Sequence, residues 1–480
     1  MPGPPGLPVI GNLWRFLPLV GKWGSMDFLE IQWDLYRKYG KIVSLGKLNE
    51  NKEFVSIFDP AEIEKVYRNE GPWPKRNSFE SLDYYRRKMY KEKFQDAYGL
   101  LSTNEKEWQD FRHRVQPHML QPRTVAKYTA PIDQVSSELI QRFREIRDNN
   151  YMLPGDSIKW FFRWSFESIA LIALDARMGC LEARLAADSE AQRLIEAVHV
   201  LMDSFFELDV KPSPWRYVTT PAWRRFVKAV DIFEQIAQKS IDLAVERMRA
   251  KVAAGQELGD DLSVLERLLL ANDNPRIATT MATDMMFGGI DTTSYSSAIL
   301  LYYLAKNPDK QEKLFEELRD VLPRPDTPVT PEALQKMKYL RACIKESMRL
   351  KPVVFGQIRE NTRDDLVLGN YKIPKGADMI LVTAVASRLE EFVPEPERFL
   401  PERWLKGESQ ESKGHPFATL PFGFGTRMCI GKRFAELEIE VLNAKIVRNF
   451  RVEYPLEGEF KTNFVYKMTS PLTFKLTDRE

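Results

Sequence analysis

The stretch Phe422-Gly423-Phe424-Gly425-Thr426-Arg427-Met428-Cys429-Ile430-Gly431 sets a thiol inside a glycine-rich turn, and a helical pattern follows from Lys432. Glycines let a backbone turn sharply and approach a flat cofactor. A cysteine at a helix N-terminus has its thiolate stabilised by the helix dipole and nearby amides, and Arg427 could pair a cofactor carboxylate. Phosphate-binding loops are excluded. Gly425 stands one residue too far from Gly431, Arg433 takes the place of a required Ser or Thr, and Met428 occupies the third glycine position of a dinucleotide fingerprint. The ordinary alternative for a lone cysteine is a small buried hydrophobe.

Three other groupings carry chemical possibilities. Gly288-Gly289-Ile290-Asp291-Thr292-Thr293 places an acid and a hydroxyl beside paired glycines in a helical stretch. Polar groups buried there need partners or a task; the alternative is a kink with Thr292 bonded back to its own helix. Glu346 and Arg349 stand i and i+3 on one helix face, a spacing usually occupied by solvated ion pairs. Trp108 and Arg112, i and i+4, put an indole donor and a guanidinium on one stripe of what could be an ordinary amphipathic helix.

The elements that must position these residues form a mainly α fold with a small β region. A helix runs from about Met26 to Gly40, β-rich runs cover Lys41–Leu48 and Phe54–Phe58, and Asp59-Pro60 opens a new helix. Successive helices continue to about residue 320. Asn274-Pro275 starts one that could reach Lys306, about thirty residues and roughly 45 Å, enough to cross the whole domain. Beyond Thr330-Pro331 another helix leads to Arg349, and β-like runs follow around Asp365–Ile373 and Met379–Ala384. With no linker and no repeat, residues 25–480 read as one domain behind a proline-rich lead-in over 1–24.

The chain has 480 residues, 44% of them hydrophobic and 11% aromatic, enough for a large core. Lys and Arg total 70 against 68 for Asp and Glu, which argues against nucleic acid as a partner and limits electrostatic docking to local patches. Three scattered cysteines argue against a disulfide framework, and four histidines without metal-ligand spacing argue against zinc. No apolar run of about 18 residues or signal-peptide pattern occurs. The opening resembles that of a mature or trimmed chain, so a targeting peptide is expected to be absent from it.

A stable thiolate is what a haem iron needs to push electron density toward O–O cleavage. The stretch from Phe422 to Gly431 matches F-x-x-G-x-R-x-C-x-G at every fixed position and resembles the haem-binding motif of the cytochrome P450 superfamily. The other groupings follow that family's order, so the resemblance covers essentially the whole chain. It implies haem b with Cys429 as iron ligand. It also implies propionate contacts from Trp108, Arg112, Arg359 and Arg427, and proton delivery by Asp291 and Thr292. Glu346 and Arg349 become structural, locked by a later arginine; of Arg398 and Arg403, the latter fits the family's F-x-P-E-R-W form. The implied activity is a monooxygenase reaction, with a haem isomerase, a peroxide-driven enzyme or a non-catalytic haem sensor as alternatives.

The basic pair Lys432-Arg433 resembles the mitochondrial branch, and Arg341 and Lys345 occupy positions resembling its ferredoxin-docking lysines. This implies electrons from a [2Fe–2S] ferredoxin with its NADPH-dependent reductase, at the matrix side of the mitochondrial inner membrane. Trp73-Pro74-Lys75-Arg76 and the run from Val210 to Tyr217 are most similar to arthropod members. With Trp223, Arg224, Arg225, Phe226 and Lys228, that run could rest on an anionic membrane, or be a loop and a half-buried helix. In the family the substrate pocket is lined by the loop before Trp108, Leu201–Leu208, Met285, Phe287 and Val353–Phe355. These residues suit a steroid, a sterol or a foreign lipophile.

Overall fold

The structure is a computed structural model that describes all residues except 9, 18, 48–51, 212, 254–261, 406, 408–413 and 463–464. Its longer helices are α1 (Phe28–Tyr39), α2 (Pro60–Asn69), α3 (Glu105–Met119), α4 (Thr129–Ile146), α5 (Ile158–Ala173), α6 (Glu190–Phe205), α7 (Pro221–Ala253), α8 (Val264–Ala271), α9 (Arg276–Lys306), α10 (Pro308–Val321), α11 (Lys338–Leu350) and α12 (Lys432–Asn449). Strands β1 (Ile42–Lys47), β2 (Glu53–Ile57), β3 (Gln357–Glu360) and β4 (Asp378–Leu381) form one sheet in the order β1-β2-β4-β3. The fold is mainly α with a small β region, as expected.

Local chemistry sets the boundaries. Asp27 and Glu30 form a reciprocal capping box at the start of α1, and Gly40 ends it at φ 89°. Asp59 accepts from Ala61 N at 2.9 Å to open α2. At α9, Asn274 Oδ1 accepts from Arg276 N at 2.9 Å just before the first turn. This helix is buried on nearly every face, the mark of an element that crosses a core. It packs along α5, and a Cβ on Gly289 would stand 3.1 Å from Ile169 Cγ1, so a side chain there would press on Ile169. Ser165 Oγ donates to Gly289 O across the contact at 3.2 Å.

Three boundaries differ from expectation. The helix read from Pro331 to Arg349 is two, Pro331–Lys336 and α11, separated at Met337. The Glu317 carboxylate accepts from Tyr339 N at 2.7 Å and Leu340 N at 3.0 Å, so the second helix takes its cap from α10. The run ending at Ala384 leaves the sheet at Leu381 and coils into the helical turn Thr383–Ala386. Asp365–Ile373 contains the two-residue strands Val367–Leu368 and Tyr371–Lys372, paired antiparallel, and Leu48 lies outside the described residues. The lead-in packs on the body: Asn12 Nδ2 bridges Pro4 O and Leu45 O at 3.1 and 2.9 Å, and Trp23 is buried.

Candidate active site

The turn before α12 is fixed by Gly423 at φ 71° and Gly425 at φ 77°, and by Cys429 N donating to Phe422 O at 2.9 Å. Cys180 and Cys343 are buried, whereas Cys429 is exposed, opening into a cavity of about 780 Å³ that Phe422 also lines. Although the thiol opens into the cavity, desolvation by the protein enclosing that cavity pushes it above its ordinary value, while the N–H groups of Gly431 and Lys432 and the charge of Arg112 pull it down. The amides expected at the helix start are therefore present, but burial outweighs them; a thiolate at this position calls for a facing cation.

The cavity edge holds the opposite imbalance. Arg76, Arg112, Arg359 and Arg427 all line it. Arg427 donates to Pro74 O at 2.8 Å, Asn104 Oδ1 at 2.9 Å and Thr103 O at 2.6 Å, and lies 4.8 Å above the Trp108 ring. Burial, then the charges of Arg76 and Arg359, push its guanidinium down to about 7. Arg112, bonded to Gln116 at 2.7 Å, is lowered by burial to about 10, and so is Arg76. Nε of Arg76 and Nε of Arg427 are buried with no partner. Arg359 differs in having its own counter-ion, Glu70, at 2.6 Å. Thus the edge lacks negative charge and has free donors, which fits a planar group bearing carboxylates and a central cation over Cys429.

On α9, Thr292 and Asp291 face different surroundings. Thr292 lines the cavity and donates to Gly288 O at 2.6 Å, the back-bond named above as the ordinary alternative. A Cβ on Gly288 would meet nothing within 4 Å, so the helix surface is bare there. Asp291 is 1% exposed, is not among the cavity-lining residues, and neither of its carboxylate oxygens has a partner. Burial raises it to about 7, opposed by the charge of Lys467.

Glu346, fully buried, accepts from Arg349 Nε and Nη2 at 3.0 and 2.8 Å, Arg403 Nε at 3.0 Å, Leu400 N at 3.0 Å and Trp404 Nε1 at 2.8 Å. Arg398 turns its side chain outward to Glu395 and gives the network only its carbonyl, an acceptor for Arg349 at 3.1 Å.

Among the basic residues, Lys432, Lys345 and Arg433 surround Glu436, whose carboxyl burial raises against their pull. Lys432 Nζ is 3.8 Å from it. Arg341 is turned inward, donating to the carbonyls of Leu334 and Gln335, with Glu440 at 3.7 Å. Its guanidinium carries structure as well as charge.

The cavity wall takes Leu100, Leu101, Met285 and Val353–Phe355 from the expected set. It does not take Phe287, whose ring packs edge-on against Phe233 at 4.6 Å, or any of Leu201–Leu208, of which Leu201, Met202, Ser204, Phe205 and Leu208 are buried and Asp203 is exposed. Trp215 and Trp223 stack at 4.8 Å and are buried with Phe226, which fits the loop and half-buried helix; of the large apolar side chains there, Tyr217 and Val218 are exposed. Pro212 lies outside the described residues. The sequence reading missed Arg76, Glu70, Asn104 and Trp404. Arg76 and Trp404 stood inside quoted stretches; Glu70 and Asn104 had no local signal.

The comparisons agree with this geometry. A cytochrome P450 family model matches residues 1–476. The chain is 39% identical to probable cytochrome P450 49a1 of Drosophila melanogaster, covering 100% of this chain and 82% of the relative. It is 39% identical to probable cytochrome P450 301a1, mitochondrial, of the same fly (99% and 86%), and 36% identical to cytochrome P450 CYP12A2 of Musca domestica (97% and 88%). A thiol at the floor of a large cavity, anion-seeking arginines at its edge and a whole-length match lead to one conclusion: this chain belongs to the cytochrome P450 family of haem monooxygenases.

Proposed function

We propose that the protein inserts one atom of O2 into a lipophilic substrate such as a steroid, a sterol or a foreign compound, using electrons from a [2Fe–2S] ferredoxin and its NADPH-dependent reductase. Haem b, when bound, supplies the redox chemistry. The observation that carries the reading is Cys429, the exposed cysteine, facing a cavity at whose edge Nε of Arg76 and Nε of Arg427 lack partners. In this reading Cys429 holds the iron, Arg112, Arg427 and Arg76 receive the propionates with the Trp108 indole beside them, and Glu70 keeps Arg359 oriented at the rim. Thr292 holds a proton at the cavity face of α9, and Asp291 resupplies it from the protein side.

Two lines support the ferredoxin. Relatives covering nearly the whole chain are named mitochondrial, and Lys345, Lys432 and Arg433 leave a basic surface beside the Cys429 turn. The matrix side of the inner membrane is the matching location. Among the described residues no helix is long and apolar enough to cross a membrane, so attachment in this reading is peripheral.

The test is a reconstituted turnover assay comparing a ferredoxin couple with a microsomal flavoprotein reductase. Turnover is expected only with the ferredoxin couple. The reduced protein under carbon monoxide should show the red-shifted Soret band of thiolate ligation, which Cys429→Ser abolishes. An unshifted band in the parent sinks the haem-thiolate assignment; product from peroxide but never from the ferredoxin couple sinks the electron-donor assignment.

A further inference from the structure

The cavity is not uniformly apolar. Beside Leu100, Met285 and Val353 it reaches a largely polar wall made by residues 76–80, Asp284 and Asp209, which lies beyond the end of α6. Most polar groups on that wall are already engaged. Asn77 donates to Glu360 and Asp378, each at 2.7 Å; Glu80 pairs with Arg216; and Asp284 accepts from Leu100 N at 2.7 Å and faces Arg86 at 2.7 Å. Two groups differ. Ser78 Oγ is buried with no partner although Ser78 lines the cavity. Asp209, which also lines it, accepts from Ser81 N at 3.0 Å with one oxygen and from Ser81 Oγ at 2.8 Å with the other. A carboxylate has about four acceptor sites, so each oxygen has capacity left.

Resting on the monooxygenase reading above, we infer that the substrate is a hydroxyl-bearing lipophile, whose hydroxyl is received by Ser78 and Asp209 while its apolar body lies toward Cys429. A buried hydroxyl without a partner carries a desolvation cost that a ligand hydroxyl would remove. Asp209 is anchored by Ser81 at both oxygens, so it is pre-aimed and loses little freedom on binding. Burial raises its carboxyl to about 7, so near neutrality it is present in both protonation states. A neutral hydroxyl can bond to either state, whereas an ammonium group would need the charged one. Phe79 holds the segment in place, its ring edge-on to Phe205 at 4.8 Å, so Ser78 is fixed relative to the end of α6.

Asp209 and Ser78 are thus specificity-determining residues, tested with a matched pair of probes. 5α-Androstane and 5α-androstan-3β-ol are titrated into the holoprotein, and the Soret band is followed. The alcohol is expected to bind about tenfold more tightly, as one satisfied hydrogen bond implies. In the double variant Ser78→Ala/Asp209→Asn the ratio of the two affinities should fall to within about twofold, and in Ser78→Ala alone, which leaves the Asp209–Ser81 bonds intact, to an intermediate value. Because the readout is a ratio within one protein, a general loss of affinity does not mimic it. Equal affinities in the parent, a ratio preserved in the double variant, or no response to either probe while the thiolate carbon monoxide band is present each overturns the inference. A missing band in the parent removes the haem reading itself, and the inference with it.

Discussion

Glu346 and Asp291 are both carboxylates on core helices, both almost fully shielded, and treated in opposite ways. Glu346 accepts five hydrogen bonds from two segments, α11 and residues 400–404, including two guanidiniums and an indole. Asp291 has no partner at all. The first is what a buried charge needs to hold a fold together. The second is uncompensated, and in the function proposed above that acid is kept beside the cavity-lining Thr292 for proton chemistry. Equal burial thus leaves the two carboxylates in opposite electrostatic situations.

The largest break in this comparison should come from Glu346→Ala, which strands Arg349, Arg403 and the Trp404 indole. A loss of roughly 3–5 kcal/mol is expected, seen as a lowered unfolding midpoint and poor recovery of folded protein. An unchanged midpoint would mean that the network carries no stability. Asp291→Asn should move activity and stability in opposite directions. Turnover should fall by about a hundredfold, the scale of a lost proton-transfer group, with substrate affinity retained.

Its stability effect depends on pH. The folded value of Asp291 lies above the unfolded one, so between about pH 4 and 7 the folded state binds more protons, and stability drops as pH rises through that window. The penalty is complete above pH 7. Asparagine should then stabilise the protein by on the order of 2–4 kcal/mol at pH 8 and by almost nothing near pH 4, as read from urea unfolding at both values. A gain independent of pH would show that Asp291 is not the group responsible. The smallest effect is expected at the edge of the satisfied network: Ser387 Oγ donates to Arg349 O at 2.9 Å, and Ser387→Ala should cost about 1 kcal/mol without altering turnover.

The same two carboxylates show what the sequence could convey. The turn around Cys429 and the extent of α9 were legible because their information is local: glycine spacing, a capped start and an apolar run. Glu346 and Arg349 were legible as a pair, and the F-x-P-E-R-W form selected Arg403. Other features depend on partners far along the chain. The Glu317 cap that splits the helix before Tyr339 is 22 residues away, and the Glu70 counter-ion of Arg359 is 289 residues away. Trp215 and Trp223 could be read as surface aromatics or as part of a loop and half-buried helix, because nothing local announced that they stack on each other and bury.

Arg427 binds Pro74 O across 353 residues and Thr103 O across 324. The rim of the cavity is thus stitched from segments far apart in the sequence, with Cys429 two residues beyond Arg427. During synthesis on a ribosome Pro74 and Thr103 are made long before Arg427 and Cys429, so the rim cannot close until that later segment has emerged. Cofactor capture is consequently a late event, and until it occurs the long helices must wait with an open hollow at their centre. A cell making this protein faster than it supplies haem would accumulate chains in that state, with aggregation as their main competing fate.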